Sequence, residues 1–497
     1  MGIKIYIDWD KNDNFTDTYD DITADVMSVR WTIGARSAYQ SVADESTCEI
    51  VVRNVDKKYT PENTTSPIYG KILPNRRIRI MDDKGSGTQL WNGYLEAPKM
   101  AWQPMGPALT GRHNITLQGY GAKQRLQKIE VRLGLYEDTT IDVIITDALR
   151  EAGIFLPLQR GWFLGVAGKS ELGVSTYLIG PAGWSEFEVG ISNIATYGNE
   201  VKNVLAIIEE LVRTERGRFG ELRDGKFFLH NRHHIYQATD NGTISESDCV
   251  GINYASGDDV YNVINVKANP RKVQASETLW ELDAPITVGV GDTAELEATL
   301  RRDGGQFAGA GSLTPTYSFS VGSGTVDVVA RGGKAVVTVA NTGNIPAVLA
   351  TLSLAGAPTY NQNSMRVTKE DSLSVASLGR QELNIDAGVT SDYSDALAIA
   401  ETELARRVSR GIVKSVQMKN MWDGIRNAYM FADNQIGYFV TVDAPSINHN
   451  ARYIIIGESH SWQAGGEHNT EFFLEPLSLT PAFRWDVSNW DESYWIF

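Results

Sequence analysis

Up to about residue 125, apolar positions recur in short runs with polar neighbours between them: IKIYI (3–7), ADVMSVRWTIG (24–34), CEIVVRN (48–54), RRIRIMD (76–82), LWNGYLEA (90–97) and HNITLQGYG (113–121). Turn residues separate the runs, so the pattern predicts six β-strands and a barrel or sandwich. The period then changes. In DTTIDVIITDALREAG, residues Ile141, Ile144, Ile145, Ala148, Leu149 and Ala152 recur at helical spacing, with Asp138 placed as the cap and Gly153 as the stop. NEVKNVLAIIEELVRTERG repeats the design with Val201, Val204, Leu205, Ile208, Leu211 and Val212, and stops at Gly217. Each helix has one apolar face and is expected to lie on a core. RFGELRDGKFFLHNRHH follows as a hairpin turned at Asp224-Gly225. The stretch 156–196, rich in Gly, Ser and aromatics, has no clear period.

From about 276 to 372 the chain reads as another β unit: TAELEATL, TYSFSVG, TVDVVAR, KAVVTVA and AVLATLSLAG, joined by Gly, Asn and Pro turns as in a small sandwich. A third helix is predicted from Ser394 in SDALAIAETELARRVSRG. Its inner stripe is Leu397, Ala400, Leu404 and Val408, and Arg406, Arg407 and Arg410 suit the negative C-terminal end. Strands VKSVQMKN and IGYFVTVD precede RYIIIGESHSWQAGGEHNTEFFLEP (452–476), two apolar runs around Ala-Gly-Gly. No solenoid-type repeat is present.

At 497 residues the chain is too long for one compact core, and it lacks an apolar run of the roughly 18 residues that span a bilayer. Its start, MGIKIYIDWDKND, turns acidic at once and does not read as a secretory signal. The net charge of −15 argues against gripping nucleic acid over a broad surface, though an acidic wall would let DNA slide past. Cys48 and Cys249, far apart in the chain, read as free thiols rather than a disulfide or a metal framework.

The side chains of 452–476 invite a catalytic reading. Gly457-Glu458-Ser459-His460-Ser461 is the nearest thing to a nucleophile elbow, but it lacks the second glycine and the strand–turn–helix setting. A three-residue loop Gln463-Ala464-Gly465 would set His460 opposite His468, on one face with Ile454, Ile456, Phe472 and Leu474, whereas a four-residue loop would put the two imidazoles on opposite faces. Even with the shorter loop only Glu458 is a nearby third ligand, which falls short of a zinc set. His230, His233 and His234 form a second cluster, with His230 and His234 on one face of a strand end. Asp8, Asp10, Asp13, Asp17, Asp20 and Asp21 crowd the N-terminal turn. Asp13 and Tyr19 occupy the places where a calcium loop needs Gly and Glu, so the EF-hand match fails and calcium is left open. GVGDT (289–293) and GAGSL (309–313) lead into no helix, so they are not phosphate cradles. No catalytic group, cofactor or metal is assigned. The aromatic tail AFRWDVSNWDESYWIF, with Trp485, Trp490, Tyr494, Trp495 and Phe497, gains by being covered, either packed on its own domain or docked on a partner, and these residues are the candidate interface.

Several stretches, taken in order, resemble the baseplate or tail-tip hub proteins of long-tailed, siphophage-like bacteriophages, which are similar to the hubs of contractile tails. A strand ending in Asn54 precedes YTPEN and the turn Gly70-Lys71-Ile72-Leu73-Pro74, after IDWDKNDNFTDTYDDIT. ELRDGKFFLHNR and VYNVINVKANPRK resemble the family's central hairpin and following strand. ALAIAETELARR, NQIGYFVTV, RYIIIGESHSW and TEFFLEPLSL resemble its C-terminal part. The resemblance implies a mainly β fold with α+β parts: a β-barrel-like hub domain (1–133), an α+β domain with two amphipathic helices and a hairpin (134–275), a β-sandwich-like insertion (276–372), a helix plus second β-barrel-like hub domain (373–482) and an aromatic docking tail (483–497). It further implies a homotrimer that adapts a sixfold tail tube to a threefold tip and forms part of the DNA exit channel. Its expected partners are a distal tail or tail-tube protein, tip or fibre proteins and the tape measure protein. DNA would pass without sequence-specific binding, and no membrane anchor is expected. The implied location is the virion tail tip, after synthesis in the host cytoplasm. Two rival readings are a carbohydrate- or receptor-binding tail protein, suggested by 12 Trp and 20 Tyr, and a cell-wall hydrolase using Glu458, Ser459 or His460.

Overall fold

A computed structural model describes residues 3–54, 56–82, 88–96, 114–134, 136–153, 176–177, 185–197, 201–236, 241–256, 259–268, 271–301, 310, 312–331, 334–361, 364–388, 390, 393–407, 411–419, 436–465 and 467–477. The aromatic tail with Trp485, Trp490, Tyr494, Trp495 and Phe497 lies outside them, as do Val408, Arg410 and most of 156–184.

The six predicted strands form: β1 (Ile3–Ile7), β2 (Val26–Gly34), β3 (Thr47–Arg53), β4 (Arg77–Asp82), β5 (Gln89–Leu95) and β6 (Asn114–Tyr120). They are ordered β1-β4-β5-β6-β3-β2, with antiparallel neighbours. Period-two alternation sends Ile3, Ile5 and Ile7 of β1 and Ile78 and Ile80 of β4 inward, onto Trp9, Trp31 and Trp91. The excursion between β3 and β4 seals this core with Tyr59, Ile68 and Ile72. Asn54 holds it in place. Its Oδ1 accepts from Tyr59 N at 2.9 Å and its Nδ2 donates to Thr60 Oγ1 at 3.0 Å, which gives the Asn…Tyr-x-Pro pattern a structural task.

The period-3.6 segments form α1 (Ile141–Glu151) and α2 (Val204–Glu215), whose apolar faces share a core with Phe187, Phe219 and Leu229. Two helix starts differ from expectation. Asp138 lies inside the strand Tyr136–Thr140, and Thr140 takes the cap position of α1. Val201 belongs to the short strand Val201–Asn203, and Asn203 caps α2 by accepting from Leu205 N at 2.9 Å. In both places a neighbouring strand claims the backbone hydrogen bonds that a longer helix would use. The hairpin β7 (Arg218–Glu221) and β8 (Phe227–His230) turns at Gly225, whose φ of 82° is the left-handed conformation glycine tolerates.

After β9 (Gly251–Ser256), strand Val263–Ala268 pairs with Met365–Glu370 and Glu382–Asp386, and α3 (Tyr393–Arg407) packs on that sheet through Ala396, Ile399 and Ala400. Between them, strands Arg271–Val273 and Thr359–Asn361 pair as a neck. Beyond the neck two sheets face each other around Leu279, Val288, Val337 and Leu352. One holds Glu277–Glu281, Ile286–Val288, Leu313–Val321 and Ala347–Gly356, the other Thr293–Thr299, Gly324–Arg331 and Lys334–Asn341.

The chain closes with β10 (Gly411–Lys419), β11 (Phe439–Ala444), β12 (His449–Gln463) and β13 (Glu467–Pro476). These do not form a separate sheet. β2 pairs with β12 from Ser28↔Gln463 to Gly34↔Gly457, so one sheet runs β1-β4-β5-β6-β3-β2-β12-β13-β10-β9, with β11 also on β12. The expected mainly β fold with α+β parts is met, but barrel closure is not seen: among the described residues no ladder joins β1 to β2, whose second edge is given to β12. The two backbones approach closely at the end of this seam. A Cβ on Gly457 would stand 2.2 Å from Ala35 O, and one on Gly34 would stand 2.5 Å from Ile456 O. Gly457→Ala is therefore expected to cost about 1–3 kcal/mol in urea unfolding. Gly134→Ala, whose Cβ would meet nothing within 4 Å, should stay within about 0.5 kcal/mol of the parent.

Candidate functional site

In the 452–476 hairpin Gln463 pairs with Glu467, so the turn sits one residue later than expected. His460 lies opposite Thr470, and Trp462 opposite His468. The shift moves the pairing by two positions, which preserves faces: the imidazoles are diagonal neighbours, with His460 Nδ1 and His468 Nε2 3.2 Å apart. The expected apolar face is divided by an irregularity in register between Ile455 and Gly457. The extra residue reverses the alternation, so Ile454 and Ile456 join Ala35, Ile235 and Phe439, while Ile455 packs with Phe472 and Leu474.

The suspected chemical side chains are built into a joint. Glu458 is fully buried and takes a two-point contact from Arg223 of the β7–β8 turn, Nε to Oε1 at 2.6 Å and Nη2 to Oε2 at 2.5 Å. His460 Nε2 lies 3.4 Å from Glu458 Oε2, and the His460 ring stacks on Trp31 of β2, centroids 4.6 Å apart. Burial alone would raise the Glu458 carboxyl, but the charge of Arg223, with a smaller contribution from His460, outweighs it and holds the group down at about 2. An ionised carboxylate gripped by guanidinium is a poor proton donor at neutral pH. Ser459 is next to both residues in sequence but points to the opposite face of β12, so no nucleophile–base pair is formed.

A second buried network lies nearby. Glu403 of α3 accepts from Arg406 at 2.7 Å, Arg407 at 2.9 Å and Arg216 at 3.0 Å, while Glu475 of β13 binds Arg406 at 2.6 Å, Arg218 and the Tyr39 backbone N–H. Burial opposes ionisation of Glu403, yet the surrounding arginines hold it well below the usual carboxylate range. Arg406 and Arg407, expected to complement the negative C-terminal end of the helix, are bound into this buried network. Both turn inward, and the buried face of α3 is Ala396, Ile399, Ala400 and Glu403, with Leu397 and Leu404 only partly covered.

The other candidates are also structural. β8 ends at His230, and a turn brings His234 onto it, rings stacked at 3.7 Å, with His234 Nδ1 2.7 Å from Glu188. In the N-terminal turn Asp8 accepts from the amides of Asn12 and Asp13, Asp20 from those of Trp9 and Asp17, and Asp10 and Asp13 pair with Lys71 and Arg77. Gly289–Asp292 is a turn between two strands of the sandwich. Cys48 is buried and Cys249 half-buried, and neither is in a disulfide. Among the described residues no group of three or more His, Cys, Asp and Glu is arranged to hold a metal ion. Arg223, Arg216, Arg218, Glu403 and Glu475 were not singled out in the sequence. Their one trace there is a charge set in an apolar run, as in FFLEP.

Removing one member of the joint leaves a buried charge unpaired. Arg223→Ala is expected to cost about 3–5 kcal/mol in urea unfolding, and Arg223→Met with Glu458→Met to recover most of it. A single-variant cost below about 1 kcal/mol would show that the pair does not hold the units together. Burial depresses His230, His460 and His468. The unfolded chain therefore binds protons more readily as pH falls through about 6.5, and stability, full above about 7, drops by up to about 1.4 kcal/mol per pH unit for each histidine. Glu221, pushed up to about 7 by burial, works the other way as a single group. Thermal midpoints should fall between pH 7.5 and 5.5, and His468→Gln should flatten the slope; a profile the variant leaves unchanged would contradict this.

No protein-family model matches the sequence, and no curated protein matches it. Solved structures do match. The tail protein from Neisseria meningitidis MC58 superposes with a TM-score of 0.51 at 8% identity, covering 96% of this chain and 97% of its own. The 43 kDa tail protein of prophage MuSo2 from Shewanella oneidensis does so with a TM-score of 0.51 at 8% identity, covering 96% and 99%. The chain thus shares its fold, over nearly its whole length, with two tail proteins, one of them from a prophage.

Proposed function

We propose that the chain is a structural, non-enzymatic hub of a bacteriophage tail tip and works as a homotrimer. The observation that carries this reading is the fold shared with two tail proteins across 96% of the chain. The ordered motifs from Asn54 to Pro74 and from Ala396 to Leu479, which resemble tail-tip hubs, support it. So does the use of the buried charged groups: they tie strand units together, and Ser459 stands apart from Glu458 and His460. Two strand systems per subunit, repeated three times, give six similar elements around the axis, a match for a sixfold tail tube above. DNA leaves through the central channel, and the charge of −15 disfavours sticking. A distal tail or tube protein docks above, tip or fibre proteins below, and the tape measure protein reaches the same channel. The sandwich beyond the Arg271–Val273 neck is a peripheral insertion. The tail with Trp485, Trp490, Tyr494, Trp495 and Phe497 docks at one of these interfaces.

Light scattering on the purified full-length protein, alone or with a tail partner, is expected to give about three times the 54.8 kDa chain mass. A strict monomer that joins no tail protein counts against the hub. Deleting 484–497 should weaken assembly while the monomer folds normally; a truncated chain that assembles like the parent removes the tail from the interface. Clearing of peptidoglycan or polysaccharide by the purified protein would favour a hydrolase instead.

A further inference from the structure

A cleft of about 560 Å³ opens where the loop after β2, the C-terminal part of α2 and the end of α3 meet. Its wall includes Arg407, Arg216 and Tyr39. Arg407 is only 8% exposed, and its guanidinium lies 4.0 Å from the Tyr39 ring centroid. Among the described residues that guanidinium bonds to a single acceptor, Glu403, through Nε. Among the described residues no hydrogen bond engages its two Nη groups, the pair that normally grips two oxygens at once. Arg216 gives Nη2 to Glu403, and its buried Nε has no partner. Behind the cleft, Arg216, Arg218, Arg406 and Arg407 pair, among the described residues, with Glu403 and Glu475, four guanidinium charges with two carboxylates. Such a surplus in a buried network calls for a counter-charge.

Three carboxylates also line the cleft, with Lys123 and Arg213 as further cations. Asp44 accepts from Gln40 at 2.8 Å, Glu45 from Gln127, and Glu209 from Arg213 at 3.4 Å. Tyr39 is held in the left-handed region at φ 65°, an uncommon conformation for a large side chain, fixed by its amide on Glu475 and its hydroxyl on Arg406 O at 3.0 Å. The platform under Arg407 is therefore rigid.

We infer that this cleft binds a compact oxyanion, gripped by the Nη1–Nη2 edge of Arg407 with Arg216 beside it. A planar fork stacked on an aromatic ring matches a carboxylate or phosphate, and lysine does not replace it. The oxyanion is either an acidic side chain of a docking polypeptide or free phosphate; the site chemistry is the same. The inference does not depend on the hub reading, since it rests on the cleft alone.

Calorimetric titration of the full-length protein with inorganic phosphate and, separately, with glutarate tests it, using sodium chloride at matched ionic strength as the reference. Saturable binding beyond the chloride effect is expected. Binding of glutarate alone assigns the site to an acidic side chain, and binding of phosphate alone to the free ion. Arg407→Lys, which keeps the charge beside Glu403 but loses the fork, should weaken binding by about tenfold or more. Arg380→Gln, at an exposed arginine elsewhere, should leave it unchanged. No binding beyond chloride, or equal binding by Arg407→Lys, overturns the inference. If that variant does not fold, crystals of the parent soaked in selenate replace it: an anomalous peak within hydrogen-bond reach of Arg407 supports the site, and its absence there refutes it.

Discussion

The ladder between β2 and β12 is the constraint on which the rest of the molecule depends. It joins strands from opposite ends of the chain, Ser28–Gly34 with Gly457–Gln463, and turns two β systems into one sheet. Backbone hydrogen bonds set the distance between the strands, and Gly34 and Gly457 allow their closest approach. Once β2 is committed to β12 it cannot close on β1, so each β system stays open along one edge and rigid along the other. A body without a hinge at this seam would keep the interfaces of the proposed hub in fixed relation.

Charged side chains reinforce the seam from behind. Arg223 reaches from the β7–β8 turn to Glu458 on β12, and Glu475 on β13 ties the Tyr39 loop to Arg218 and α3. A buried ion pair adds little net stability over an apolar contact, but it is costly to break and geometrically exacting. Three such ties, placed where the N-terminal strands, the α+β hairpin and the C-terminal strands meet, select one docking arrangement among the many that apolar surfaces would accept. The same requirement explains why Glu458 and His460 resemble catalytic groups in sequence: both are polar side chains placed where a core would otherwise be apolar.

Local pattern carried much of the fold. The alternation in IKIYI and RRIRIMD and the helical spacing around Ile141–Leu149 and Val204–Val212 each reflect a face pressed against a core, and a face is a short-range property. What could not be read there depends on distant partners. Arg223 and Glu458 are 235 residues apart, and nothing near either one announces the other. Asp138 reads as a helix cap until Asn193–Tyr197 pairs with its strand. Arg406 looks like an ordinary complement to a helix end until Glu475 is brought beneath it, and Arg407 until it folds back onto buried Glu403. In the last hairpin the shared face of His460 and His468 hung on a loop length that the sequence left open, and the turn position and the irregularity at Ile455–Gly457 lie where β12 also pairs with β2 and β11.

Hydrogen exchange under native conditions tests most directly whether the seam makes a single body. The amides of 28–34 and 457–463 should exchange only through global opening, with the same free energy as those of β3 and β13 in the middle of each β system. Seam amides that exchange through a separate opening of lower free energy, leaving β3 and β13 protected, would mean that the two halves move independently, and would contradict the account.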